Sequence, residues 1–228
     1  MRLSVGVMVE CAAALMAGAA ARAQSPFYVS GDVGGYFRES ESGADQFHHS
    51  DAPTVIVGGT DRRAFDDGVI GHLALGYRLA PHIRVEAEFG YITYTGSTLN
   101  PQTSAPGFAA LNGQTFHRTS GDRFTRYTGT ANVFYDFSPL AGRFTPYVGG
   151  GIGASADHQS FGVFAAADGT PFRSSGGSST QSLGLVEAGV AIALTPRLSI
   201  VPAYRYTRFF ADNEDSAHVV KLGLRYSF

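Results

Sequence analysis

Apolar and polar residues alternate one by one along several segments of this chain. In the segment AHVVKLGLRYSF (217–228), every second residue from Val220 to Phe228 is apolar, and the residues between them are polar or glycine. A period of two is that of a β-strand with one apolar and one polar face. The same pattern predicts eight strands, at about 27–38, 68–79, 83–95, 123–137, 143–155, 180–194, 198–209 and 217–228.

The connections between the predicted strands alternate in length. The short ones are APH (80–82), SPLAG (138–142) and TPR (195–197), and the others lie at about 39–67, 96–122, 156–179 and 210–216. In an up-and-down arrangement the long connections therefore gather at one end. Short periplasmic turns opposite long extracellular loops are typical of membrane barrels. We predict an all-β, eight-stranded antiparallel up-and-down transmembrane β-barrel.

Alternation alone also fits a soluble barrel with its faces inverted. Three observations favour the membrane: aromatic residues of the apolar set lie at strand ends, glycines accompany the charges of the polar set, and the aromatic spacing suits a bilayer. Phe27 and Phe37 are ten residues apart, a rise of about 25 Å in a strand tilted by about 40°. The predicted aromatic girdles are Phe27, Phe37, Tyr77, Tyr91, Tyr127, Phe137, Phe144, Tyr206 and Phe228.

The polar set is predicted to fill the lumen as a network of opposite charges, because an unpaired charge held away from water is costly. Glu187 is expected to meet the basic residues of the next two strands. Glu86 and Glu88 are expected to pair with Arg126, or alternatively with Arg78. The polar set consists of Asp32, Arg38, His72, Arg78, Arg84, Glu86, Glu88, Arg126, Asp136, Glu187, Arg205, Lys221 and Arg225.

The N-terminus follows a different pattern. Arg2 precedes an apolar run that ends in Ala21-Arg22-Ala23, which predicts a secretory signal peptide over 1–23 and a barrel domain over 24–228. A buried N-terminal helix is the alternative. Charged residues make up only 16% of the chain and the net charge is −2, so nucleic acid is not an expected partner.

The secretory leader, the eight strands, TPYVGGGIGAS at the fifth strand and the closing Tyr-Ser-Phe resemble the opacity-type, OmpA-like outer membrane β-barrel family. The resemblance covers the whole mature chain and carries no catalytic signature. It implies a bacterial outer membrane location with extracellular loops and contacts with outer membrane lipid and lipopolysaccharide. It also implies that the barrel assembly machinery reads Leu224, Tyr226 and Phe228 as a signal. No periplasmic peptidoglycan-binding domain is expected after the barrel.

Other motifs are expected to be structural, and we predict no cofactor and no metal. GGGIGA (149–154) is similar to a nucleotide loop but alternates as a strand and precedes no helix. HHSD (48–51) could bind a metal or act as nucleophile and base, but a solvated loop cluster is favoured. Two groups of acidic residues could hold divalent cations, but they lack the spacing of a calcium loop. They comprise Asp61, Asp66, Asp67, Asp212, Glu214 and Asp215.

These patterns favour a non-enzymatic outer membrane protein with a structural or surface-interaction role through acidic loops. The connection 39–67 holds seven acidic residues against Arg62 and Arg63, although acidity for solubility alone is an equal alternative. A narrow ion-permeable pore, a lipid A-modifying enzyme and a soluble lipid carrier are further alternatives. An enzyme would need a nucleophile, base and acid together at the lipid-facing rim. The outward set offers no Ser-His-acid grouping, because His72 faces inward and His218 lies at a strand end.

Overall fold

The computed structural model describes residues 25–39, 41–49, 52–102, 112–169, 171–174, 176–210 and 215–228. The predicted signal peptide lies outside these residues. No helix in the described part of the chain is long and apolar enough to cross a membrane. The strands are β1 (Phe27–Arg38), β2 (Glu41–His49), β3 (Ala52–Phe65), β4 (Gly68–Ala80), β5 (Ile83–Gln102), β6 (Phe116–Gly121), β7 (Arg123–Asp136), β8 (Phe144–Gln159), β9 (Gly162–Ala165), β10 (Pro171–Ser174), β11 (Gly177–Ala193), β12 (Leu198–Phe210) and β13 (Asp215–Ser227).

Eight of these strands close into an antiparallel barrel in the order β1-β4-β5-β7-β8-β11-β12-β13. The barrel closes where β13 pairs with β1, from Tyr28 opposite Ser227 to Arg38 opposite Ala217. Closure satisfies the backbone of the last strand and leaves the barrel without an open edge. The predicted eight-stranded up-and-down barrel is therefore confirmed.

The two ends of the barrel differ. Short connections link β4 to β5, β7 to β8 and β11 to β12, and they gather at what we call the turn end. The β7–β8 turn contains Ala141 and Gly142 in the left-handed region, with φ of 49° and 69°. Glycine accepts this conformation without strain, whereas alanine does so at a cost. The opposite end, which we call the loop end, carries the long connections.

The described parts of the long connections contain further strands, which the alternation in the sequence did not predict. β5 continues to Gln102 and pairs with both β3 and β6 beyond the barrel. β6 pairs with β9, β9 with β10, and β10 with β2 at Arg173 opposite His48. β2 also pairs with β3, so six strands form a second closed ring at the loop end: β2, β3, β5, β6, β9 and β10. The pattern missed them because Gly, Ser and Asp interrupt the alternation in these segments.

The barrel has an inverted distribution of polarity. On the outer face, Val33, Val133 and Leu222 are each more than half exposed. In the interior, Glu88 and Arg205 are buried. Buried charges and exposed aliphatic residues are the reverse of a soluble core, and they suit a barrel whose outer face contacts lipid.

The aromatic residues expected to form girdles lie on the outer face near the two ends. Phe27 packs edge-on against Tyr77 with ring centroids 4.8 Å apart, at the turn end. Tyr226 and Phe228 form a similar pair at 5.5 Å on the closing strand. Leu224, the third residue of the expected assembly signal, is exposed on the same face. Of the remaining ring residues, Phe37, Tyr127, Phe137 and Phe144 are exposed and Tyr91 and Tyr206 are half-buried.

Candidate functional site

Ion pairs around Arg205 of β12 occupy the centre of the lumen. Its Nη1 and Nη2 donate to the two carboxylate oxygens of Glu88 at 2.6 and 2.7 Å. Its Nε donates to Glu187 Oε2 at 2.8 Å. Glu187 is the direct partner of Arg205 in the β11–β12 ladder, whereas Glu88 belongs to β5, which is not a neighbour of β12. One guanidinium therefore connects three strands across the lumen.

Lys221 of β13 and His72 of β4 extend this group. Lys221 Nζ lies 3.0 Å from Asp32 Oδ2 and 2.9 Å from Glu187 Oε2. His72 Nδ1 lies 2.6 Å from Asp32 Oδ1, and its Nε2 lies 3.2 Å from Arg205 Nη1. A guanidinium only donates, so Nε2 accepts and the proton on Nδ1 is donated to Asp32. We call Asp32, His72, Glu88, Glu187, Arg205 and Lys221 the central cluster.

Three members of the central cluster have the donor types of a metal site. Asp32, His72 and Glu88 each place one ligand atom within 4.8 Å of the others. However, Arg205 and Lys221 already occupy the carboxylate oxygens. A divalent ion would have to enter beside two fixed positive charges, which Coulomb repulsion opposes in a buried site. Ion pairing accounts for the arrangement of these residues.

A second group surrounds Arg84 toward the turn end. Arg84 donates to Asp136 Oδ1 at 3.0 Å and to the Tyr28 hydroxyl at 3.1 Å, and it pairs with Glu86. The Tyr28 hydroxyl donates to Glu86 at 2.7 Å. The guanidinium also lies 3.9 Å from the ring centroid of Phe134, a favourable cation–π distance.

Tyr147 and Arg225 connect the turn-end group to the central cluster. The Tyr147 hydroxyl donates to Glu187 Oε1 at 2.8 Å. The Arg225 guanidinium lies 5.3 Å from the ring of Tyr28 and 5.6 Å from that of Tyr147. Arg225 thus neighbours Glu187 through an aromatic ring and not by the direct contact expected from the sequence.

An apolar layer closes the interior toward the loop end. Next to it, Arg126 donates to both carboxylate oxygens of Asp157 at 2.7 and 2.8 Å and lies 3.7 Å from the Phe209 ring centroid. The residues of this layer occupy the same alternate positions as the polar lumen residues. Ile70, Leu185 and Val219 each lie two residues before a member of the central cluster, on the loop-end side of it. That parity is a signal that the sequence analysis overlooked. We call the layer the apolar cap: Tyr36, Ile70, Ile92, Tyr94, Leu183, Leu185, Phe209, Ala217 and Val219.

Several expected partners in the interior are wrong. Glu88 pairs across the lumen with Arg205, and Glu86 pairs with Arg84, so neither meets Arg126 or Arg78. The expectation considered only adjacent strands, but long side chains also cross an eight-stranded lumen. Arg78 is exposed at the turn end, where its Nη2 lies 3.5 Å from Ser227 Oγ. Arg38 lies at the loop end, 3.9 Å from the Phe65 ring centroid.

A polar group also lies on the outer face, where β12, β13 and β1 meet at the loop end. The Tyr204 hydroxyl lies 2.5 Å from His218 Nδ1, and His218 Nε2 lies 3.1 Å from Glu39 Oε1. Ser216 Oγ donates to Glu39 Oε2 at 2.5 Å. Because a carboxylate only accepts, Nε2 carries a proton and Nδ1 can accept from Tyr204. We call Glu39, Tyr204, Ser216 and His218 the rim site.

The rim site corrects the expectation that no Ser-His-acid grouping exists on the outer face. Glu39 lies one residue beyond β1, in a segment that the alternation predicts to be a loop. Its backbone N–H donates to the Ser216 carbonyl at 3.1 Å, which places its side chain beside those of Ser216 and His218. Hydrogen bonds from Ser216 and then from His218 hold the pKa of the Glu39 carboxyl below its ordinary value. The carboxylate is therefore ionised at neutral pH.

The remaining motifs lie in strands, in the connection between β3 and β4, or outside the described residues. GGGIGA is part of β8, as its alternation predicts. His48 and His49 end β2, and Ser50 and Asp51 lie outside the described residues. Asp66 accepts from Arg118 Nη2 at 2.9 Å. Asp212 and Glu214 also lie outside the described residues.

Comparisons with known proteins find a matching family model and several similar chains. The family model described as outer membrane protein beta-barrel domain matches residues 9–228. Uncharacterized proteins of Brucella melitensis biotype 1 and Brucella suis biovar 1 are each 24% identical over 89% of this chain and 84% of their own length. Neisserial surface protein A is 18% identical, with a TM-score of 0.49 over 91% of this chain and 100% of that structure. The N-terminal β-barrel domain of Pseudomonas aeruginosa OprF is 14% identical, with a TM-score of 0.42 over 90% of this chain and 100% of its own.

The central cluster predicts a large difference between an inward and an outward substitution on β11. Glu187→Ala leaves Arg205 and Lys221 with one fewer carboxylate, and we expect it to lower the free energy of unfolding by about 3 kcal/mol or more. Val190→Ala, on the outward face of the same strand, should cost on the order of 1 kcal/mol. Urea unfolding in detergent micelles, followed by circular dichroism, measures both. Equal unfolding midpoints for the two variants would contradict the role of the cluster.

Proposed function

Since this chain belongs to the outer membrane protein β-barrel domain family and is a protein of the bacterial outer membrane, we propose that it acts as a non-enzymatic surface protein. Its barrel is a closed anchor, and its folded loop-end ring is the extracellular interaction surface. The occupied lumen carries this proposal, because it leaves the outer surfaces as the parts available to a partner.

The filling of the interior supports a closed lumen. Eight strands enclose a space that side chains can fill. Along the axis, the Arg84 group, the central cluster and the apolar cap follow one another from the turn end to the loop end. Large solutes would have to break the bonds of Arg205 to Glu88 and Glu187 and then part the apolar cap. The filled lumen therefore disfavours a general diffusion pore for large solutes, and it does not test the alternative of a narrow ion-permeable pore.

The junction between barrel and ring supports a fixed interaction surface. Asp122, fully buried between β6 and β7, accepts from Gln159 Nε2 at 2.9 Å and from Ser174 Oγ at 3.1 Å. Its own backbone bonds to Gly96 and Phe161. Asp122 thus joins β5, β8, β10 and the connection between β8 and β9. A binding site on a rigid scaffold loses less conformational entropy when a partner binds.

The charge of the loop-end connections supports a basic or cation-bridged partner. The connection 39–67 carries seven acidic and two basic residues, and 210–216 carries three acidic residues and no basic one. Clustered charge of one sign raises the association rate with an oppositely charged partner. This effect becomes smaller as the salt concentration rises. Acidity for solubility alone predicts no such partner.

Single-cysteine variants test the orientation. The only cysteine, Cys11, lies in the predicted signal peptide, so an introduced thiol would be the sole one in the mature chain. Ala167 is exposed in the ring and Ser138 is exposed at the turn end. We expect a membrane-impermeant maleimide to label Ala167→Cys but not Ser138→Cys on intact cells, and to label both after lysis. Labelling of Ser138→Cys alone on intact cells would reverse the orientation.

Charge neutralisation tests the surface role. We expect proteoliposomes that contain the full chain to bind polylysine-coated beads better than polyglutamate-coated beads, with a preference that falls as salt rises. The variant Glu41→Gln, Asp45→Asn, Asp61→Asn should lose most of this preference. The matched control is Ser42→Ala, Gln46→Ala, Thr60→Ala on the same two strands, which should retain it. Equal binding by the neutralised variant and wild type would favour acidity for solubility alone.

A further inference from the structure

The rim site is arranged in rows across three adjacent strands. In the upper row, Arg208 of β12 pairs with Ser216 of β13, and Glu39 follows on the other side through its backbone bond to Ser216. One step toward the turn end, Tyr206 and Phe37 flank His218 from the two sides. Neighbouring strands are about 4.8 Å apart, so Arg208 and Glu39 begin about 10 Å apart with Ser216 between them.

The geometry of the rim site does not favour hydrolysis. The Ser216 hydroxyl donates to Glu39, whereas a serine nucleophile would need to donate to His218. β13 is also paired on both sides through these residues. Its backbone N–H groups therefore bond within the ladders and are not available to stabilise an oxyanion. The hydrogen-bonded chain instead fixes the orientation of one carboxylate.

The position of that carboxylate defines its environment. Phe37 and Tyr206 belong to the loop-end aromatic residues, which in membrane barrels lie at headgroup level. The Glu39 side chain is 58% exposed at the same end. A carboxylate at headgroup level is surrounded by lipid phosphates, and like charges repel at short range. An ionised carboxylate held among phosphates is stabilised by a cation, and nearby aromatic faces favour an ammonium group.

Arg208 supplies the complementary charge at the other end of the row. It is exposed on the outer face, and a guanidinium is well suited to bind a phosphate group. Ser216 lies between the two charges. The row therefore presents a positive group and a negative group at a separation that two flexible side chains can close around one zwitterionic headgroup.

We infer that the rim site binds a lipid headgroup that carries both a phosphate and a primary amine, with the phosphate toward Arg208 and the ammonium toward Glu39. The phosphoethanolamine group has this chemistry, either as the headgroup of a glycerophospholipid or as a substituent of lipid A. Tyr204 and His218 act as positioning residues that hold the carboxylate. This site is independent of any partner of the loop-end ring.

Native mass spectrometry of the purified full chain tests the inference. The protein is mixed with equal amounts of phosphatidylethanolamine and phosphatidylglycerol, which share the phosphate but differ in the amine. We expect wild type to retain phosphatidylethanolamine over phosphatidylglycerol by about fivefold. Glu39→Gln should reduce the ratio to about one, whereas Asp67→Asn, which removes an exposed acid outside the rim site, should leave it unchanged.

Arg208→Gln is a second variant, and it tests the site even if the Glu39→Gln protein does not fold. Because both lipids carry a phosphate, we expect it to lower the retention of both and to preserve their ratio. A second arm compares lipid A with and without a phosphoethanolamine substituent and identifies which source is preferred. A preference for the amine in either arm supports the site. Equal retention with and without the amine in both arms, or retention that requires added Mg²⁺ regardless of the amine, would overturn it.

Discussion

The pairing of Arg205 with Glu88 and Glu187 is the interaction on which the barrel interior depends. A guanidinium held away from water is tolerated only when fixed acceptors surround it. Glu187 approaches along the β11–β12 ladder and Glu88 crosses from β5. Lys221 lies beside the Glu187 carboxylate, and His72 lies beside that of Glu88. The lumen has to be narrow for all these contacts to form at once, and eight strands provide that width.

The charged side chains that fill the interior and the apolar side chains that cover the outer face result from the same alternation of residues. Most charged residues of the barrel strands face inward and most aliphatic residues face outward, so polar side chains on the outer face are exceptions that require explanation. Glu39, Ser216 and His218 are such exceptions, and their mutual hydrogen bonds make them compatible with the headgroup layer. Because the lumen is occupied, the roles proposed for this protein are assigned to the ring and the rim site.

The sequence predicts most of the barrel but only part of its chemistry. The eight strands are predictable because their period of two is visible within each segment. The contact of Glu187 with Arg205 is predictable because it joins two strands of one hairpin. The contact of Glu88 with Arg205 is not, since it crosses the lumen between strands that never pair. The ring strands and the position of Glu39 depend on pairing between segments far apart in sequence, such as β6 with β9 and β1 with β13.

Conductance of the purified protein in a planar lipid bilayer is the most direct measure of whether the interior is closed. The central cluster and the apolar cap together predict little or no steady current from the monomer, with at most brief openings of small amplitude. A variant that removes a partner of Arg205, such as Glu88→Ala, should show channel openings more often than wild type. Large, stable, porin-like currents from the wild-type monomer would contradict a closed lumen and place the protein among the diffusion channels.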